Sequence, residues 1–130
     1  MCLTTKQTRW RIAKEDIICY KLLNGERVSL SEIEYTTPFT FTPVPKNVIE
    51  GKKCLRAKGW SQWEEVYDCF QITNGAIHAC ASEHEAWNYY KYGTMGTHIF
   101  KCIIPKGTRY AVGLFDDICA KKIKFIKRII

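Results

Sequence analysis

The sequence predicts an α+β domain, a mostly antiparallel sheet with one principal helix, about 83–92, packed on it. Three observations predict it. Short segments at 16–23, 66–72, 99–104 and 118–129 are rich in β-branched and aromatic residues with apolar faces at strand spacing. One stretch, 82–93, combines a helix start, helical apolar spacing and a stop. The turn dipeptides Asn24-Gly25 and Asn74-Gly75 separate strand-like runs, which favours antiparallel neighbours. At 130 residues, 46% hydrophobic and 25% charged, the chain fits a single domain, 1–130, with residues 1–10 as an irregular N-terminal arm.

In chain order, 16–23 is the first firm strand: Ile18, Tyr20 and Leu22 fall on one face and Ile17, Cys19 and Leu23 on the other, interrupted only by Lys21. Both faces apolar predicts a central position. Asn24-Gly25 then predicts a two-residue hairpin turn into the alternating Arg27-Val28-Ser29-Leu30, and 32–37 loses the pattern. Prolines 38, 43 and 45 frame Phe39-Thr40-Phe41-Thr42, whose phenylalanines share a face, and confine any strand there to an edge. Cys54-Leu55-Arg56-Ala57 reads as a short strand, and Trp60-Ser61-Gln62-Trp63-Glu64-Glu65 as a surface loop or helical turn. The strand at 66–72 turns at Asn74-Gly75 into the apolar Ala76-Ile77-His78-Ala79-Cys80-Ala81.

Ser82 is a natural N-cap with Glu85 three residues on, a capping box in which each side chain reaches the other residue's amide. Glu83 and Glu85 suit the positive end of the helix dipole. Ala86, Tyr89 and Tyr90 share the inward face, His84, Asn88 and Lys91 point outward, and Gly93 supplies the left-handed stop. Phe100, Cys102 and Ile104 form one strand face, and Ile104-Pro105-Lys106-Gly107 turns it back into 108–112 as a hairpin. In 118–129, Ile123, Phe125 and Ile129 oppose Lys122, Lys124 and Arg128.

The net charge of +7 and pI of about 9.1 suit phosphates and other anions. The excess concentrates after position 100, where Lys101, Lys106, Arg109, Lys121, Lys122, Lys124, Lys127 and Arg128 face only Asp116 and Asp117. Seven scattered cysteines without a Cys-x-x-Cys pair read as reduced core thiols. No apolar run approaches membrane-span length and no secretory leader opens the chain, which predicts a soluble, cytoplasmic protein with no membrane partner.

Cys69, His78, Cys80 and His84 lack the tight paired spacing of zinc sites, and the helix phase turns His84 away, so no metal is predicted. Cys80 beside His78 on alternate strand positions is too distant for a thiolate–imidazole pair, and no phosphate-cradling glycine loop occurs. Neither a catalytic residue nor a cofactor is therefore assigned. Aromatic residues near cations are what a base-plus-phosphate ligand requires. The predicted ligand-binding residues are Lys101, Lys106, Arg109, Lys122, Lys124 and Arg128, with Trp87 and Tyr90 as stacking partners.

Two resemblances follow. Met1-Cys2-Leu3-Thr4-Thr5-Lys6-Gln7, Ile12-Ala13-Lys14-Glu15-Asp16-Ile17, Cys19-Tyr20-Lys21, Gly75-Ala76-Ile77-His78-Ala79 and Cys102-Ile103-Ile104-Pro105-Lys106-Gly107-Thr108-Arg109-Tyr110 resemble a family of small uncharacterised proteins of bacteriophages and their bacterial hosts. That likeness implies a phage or mobile-element protein acting in a host cell and supplies no activity. Ala76 to Tyr90 is similar to the Gly-Ile-Tyr-Phe-Ala strand, Ser and following Ala-x-Tyr helix of ADP-ribosyltransferase-like domains, which implies an NAD pocket lined by Tyr20, His78 and Tyr90. Cys19-Tyr20-Lys21 lacks that family's His-Gly or Tyr-Arg, and no glutamate falls in the strands after Phe100, which argues against catalysis on NAD. The expectation is a non-enzymatic, phage-type binding protein for an anionic ligand: a nucleotide, a nucleic acid or an acidic host-protein surface. The alternatives are an ADP-ribosyltransferase-like enzyme or degenerate relative, and a virion component; oligomeric state is left open.

Overall fold

The structure is a computed structural model that describes residues 3–5, 10–38, 40–93 and 96–130. It is a sheet-dominated α+β fold with antiparallel strand pairing and one principal helix. Its strands are β1 (Leu3–Thr5), β2 (Arg11–Ile12), β3 (Ile17–Arg27), β4 (Ile33–Thr36), β5 (Pro43–Val44), β6 (Leu55–Arg56), β7 (Gln62–Val66), β8 (Cys69–Asn74), β9 (Ile77–Cys80), β10 (His98–Ile104), β11 (Arg109–Val112), β12 (Asp117–Ala120) and β13 (Lys122–Arg128). The helices are the single-turn α1 (Lys46–Ile49) and α2 (Glu83–Tyr92).

The large sheet runs β2-β11-β12-β9-β3-β10-β13-β6, with β4 and β5 branching from β3. A smaller sheet is ordered β1-β8-β7. The main core lies on the side of Cys19, Leu23, Phe100, Cys102, Ile104, Ile118, Ala120, Ile123 and Phe125, closed by Val44 and Val48. Edge-to-face contacts link Tyr35 to Phe100 (5.0 Å) and Phe100 to Phe125 (5.3 Å). On the opposite side α2 packs Ala86, Tyr89 and Tyr90 over Leu22, Cys80 and Ile99. There too the small sheet buries Leu3 and Ile72 against Ala111 and Cys119.

Position 3 is therefore no irregular arm: Leu3 is fully buried, and β1 pairs with β8 through Leu3↔Ile72. Positions 1, 2 and 6–9 of the expected arm, Cys2 among them, lie outside the described residues, as does Phe39 of the expected phenylalanine pair. Of the other cysteines, Cys19, Cys80, Cys102 and Cys119 are buried free thiols, and Cys54 and Cys69 are half-buried.

β3 is central, as its two apolar faces require, but it does not turn at Asn24-Gly25. It pairs with β10 from Ile17↔Ile104 to Leu23↔His98, then continues along β4 from Asn24↔Thr36 to Arg27↔Ile33. A Cβ on Gly25 would come within 2.5 Å of the His98 ring, so glycine serves close approach here rather than a turn. The chain reverses over 28–32, where Val28 and Leu30 are exposed, and the unpatterned 32–37 contains β4.

The Trp60 to Glu65 stretch, read as loop or helical turn, holds β7, and the expected strand 66–72 is broken by a turn at Tyr67 (φ 57). β10 and β11 are joined by a turn yet do not pair; their partners are β3 and β13, and β2 and β12. In β13 the register with β10 shifts between Lys101 and Cys102, leaving Ile126 unpaired. This bulge puts Arg128 on the face of its partner Phe100 rather than with Lys124, and there, still exposed, it donates to the Tyr35 hydroxyl (2.9 Å).

α2 begins and ends as its sequence dictates. Glu85 N–H donates to Ser82 Oγ (3.2 Å), and Gly93 closes the helix at φ 67. The Ser82 hydroxyl in turn donates to Asp116 Oδ2 and ties the cap to the approach to β12. His84 and Lys91 are exposed and Asn88 is half-buried. Among the described residues no helix is long and apolar enough to cross a membrane.

Candidate functional site

Lys121, between β12 and β13, joins three parts of the chain. Its N–H donates to Arg109 O (3.0 Å) on β11, and its carbonyl accepts from Ala57 N–H (2.8 Å) just beyond β6. These bonds bring Arg109 and Gly59-Trp60-Ser61 together. Pairing of β2 with β11 through Ile12↔Arg109 delivers Trp10, and β7 delivers Trp63. The result is a cleft of about 470 Å³ lined by Trp10, Gly59, Trp60, Ser61, Trp63, Arg109 and Lys121.

Lys121 Nζ donates to Ser61 Oγ (2.5 Å) and Gly75 O (2.6 Å), and Ser61 Oγ donates to the same carbonyl (3.2 Å). Gly75 makes this possible: its φ is +69, and a Cβ there would stand 2.6 Å from the backbone of Trp60 and Ser61. The ammonium also lies 5.0 Å from the Trp10 ring centroid, within cation–π range. Two of its three N–H donors are thus spent within the protein and one remains. Burial pulls the Lys121 pKa below the ordinary lysine value, and the nearby Arg109 charge acts in the same direction.

Trp10 and Trp63 meet edge to face at 5.8 Å and pack on the cluster under the small sheet. Trp60 is 91% exposed, a large ring with a free face. The side chains lining the cleft include no carboxylate, imidazole or thiol. The lining thus sets two cations beside three indoles, with the Ser61 hydroxyl proton engaged on Gly75 O.

The sequence-predicted residues are divided by the fold. Arg109 is in the cleft. Lys101, Lys122 and Lys124 share the outer face of β10 and β13, away from Phe100, Ile123 and Phe125. Trp87 and Tyr90 meet edge to face on α2 (5.5 Å), with Tyr90 packed in the cluster that includes Tyr20. Lys106 sits in the β10–β11 turn, its backbone N–H bonded to Asp16 Oδ1 (2.8 Å), and Arg128 is engaged with Tyr35. Of the residues weighed as metal ligands, Cys69 is on β8, His78 and Cys80 are on β9, and His84 is exposed on α2. Tyr20, His78 and Tyr90 line neither the cleft nor the cavities of about 540 Å³ between β4 and α1 and about 710 Å³ beside β2.

Trp10, Ser61, Gly75 and Lys121 were not singled out from the sequence as site residues. The tryptophans at 60 and 63 and the Asn74-Gly75 turn were the available signals, but nothing local says that Trp10 and Lys121 converge on them. Comparison with protein-family models, curated proteins and solved structures gave no match.

Proposed function

We propose that the chain is a non-enzymatic, phage-type binding protein whose ligand is anionic and carries a flat ring, a nucleotide or a nucleic acid, and that the tryptophan cleft holds it. One observation carries this reading: the Lys121 ammonium lies over the Trp10 ring, with Arg109 and the exposed Trp60 in the same lining. A ring stacks on indole while the phosphate is met by guanidinium and ammonium, and the two contributions add. An acidic protein surface would use the cations and leave three indoles without a role, so the nucleotide form is preferred.

Calorimetric titration with adenosine monophosphate and with adenosine tests this. The nucleotide should bind at least about tenfold more tightly, since charge-assisted phosphate contacts are worth about 1.5–3 kcal/mol each. Arg109→Gln should erase most of that difference while leaving adenosine binding intact. Equal affinity for the two, or no binding of either, contradicts the proposal.

A further inference from the structure

The outer face of β3, β10, β13 and β6 is a second cationic surface, separate from the cleft. The register sets Tyr20, Lys101 and Lys127 in one cross-strand row, Ile18, Ile103 and Lys124 in the next, and Lys122 beside Arg56 at the far end. Burial alternation puts these rows on the side opposite Phe100, Cys102, Ile123 and Phe125. Ile18 is 50% and Ile126 49% exposed, so the face is open at these two positions, while Tyr20 packs against the α2 cluster and Lys101 and Ile103 are half-buried.

Lys101 and Lys127 stand directly opposite each other, a like-charge pair that weakens a sheet. No acid occurs in any of the three rows. Among the described residues the ion pair is Lys52–Glu50 (2.9 Å), and none of Lys101, Lys122, Lys124 or Lys127 has a hydrogen-bond or carboxylate partner. Charge complementarity therefore calls for an extended polyanion. The apolar Ile18 and Ile126 interleaved with the lysines suit a strand with exposed bases better than a surface of charge alone.

We infer that this face binds the phosphate backbone of single-stranded nucleic acid, with Lys101, Lys124 and Lys127 as its principal contacts. The ligand class is shared with the proposal for the cleft; the residues are not.

The test is fluorescence anisotropy of a labelled single-stranded oligonucleotide over a salt series, with the parent and with Lys101→Gln/Lys127→Gln. The double variant relieves a like-charge pair, so its thermal midpoint should be no lower than the parent's. Its affinity should fall about tenfold or more, and the magnitude of the slope of log K against log salt should drop by about 1.4, two contacts at about 0.7 each. Mononucleotide binding in the cleft should be unchanged. Loss of cleft binding with the oligonucleotide result intact would overturn the cleft proposal alone. An unchanged oligonucleotide affinity and slope in the double variant would overturn this inference alone. So would preference for an acidic polypeptide or for phosphatidylserine vesicles over the oligonucleotide.

Discussion

Lys21 carries its ammonium group into the protein between Cys19 and Leu23, where it is 8% exposed and donates to His78 O (2.7 Å). Burial drives its pKa down to about 8. Burial, reinforced by the Lys21 charge, also drives the His78 imidazole from 6.5 down to about 4. An imidazole that resists protonation in the folded state costs stability on acidification. The unfolded chain takes up a proton as pH falls through 6.5, whereas the folded chain does so only near 4. Urea unfolding should show up to about 2 kcal/mol of this stability lost between pH 7 and pH 5, and His78→Asn should remove that part of the slope. Identical pH profiles for parent and variant would count against it. Lys21→Met keeps the stem and removes a buried cation with one carbonyl partner, so the urea midpoint at pH 7 should hold or rise, by up to about 2 kcal/mol in stability. A fall of about 3 kcal/mol would show that the charge is structurally required.

The cap of α2 is the element whose local sequence says most about its structure. Ser82→Ala removes the bond from Glu85 N–H and the tie to Asp116, and should lower stability by about 1 kcal/mol or somewhat more in thermal or urea unfolding. No change would mean that the cap is redundant. Other elements were legible where one face is continuous: β3, β10 and β13 as far as Phe125 alternate as read. Legibility failed where the deciding contact is distant. Asn24-Gly25 has the residues of a turn, yet Gly25 is needed by the His98 ring across the sheet. Arg128 continues an outward alternation in sequence, but the Ile126 bulge, set by pairing with β10, turns it to Tyr35. Two-residue strands such as β2, β5 and β6 exist through their partners and have no pattern of their own.

At the scale of the whole molecule, the fold class followed from composition and alternation, whereas the cleft depends on topology. Its walls come from the chain before β2, the β6–β7 connection, β11 and the link between β12 and β13, brought together by the Lys121 backbone bonds. A basic last quarter was visible in the sequence; its division into a cleft wall, an outer lysine face and an arginine tied to Tyr35 was not. The central claim, that the cleft stacks a ring beside a phosphate, is tested most directly by titrating adenosine monophosphate against intrinsic tryptophan fluorescence in the parent and in Trp60→Ala. Trp60 is 91% exposed, so its loss should leave the fold intact. The account predicts saturable quenching in the parent and an affinity about 5- to 150-fold weaker in the variant, the range for loss of one stacking partner. No saturable change in the parent, or equal affinity in the two proteins, would contradict it.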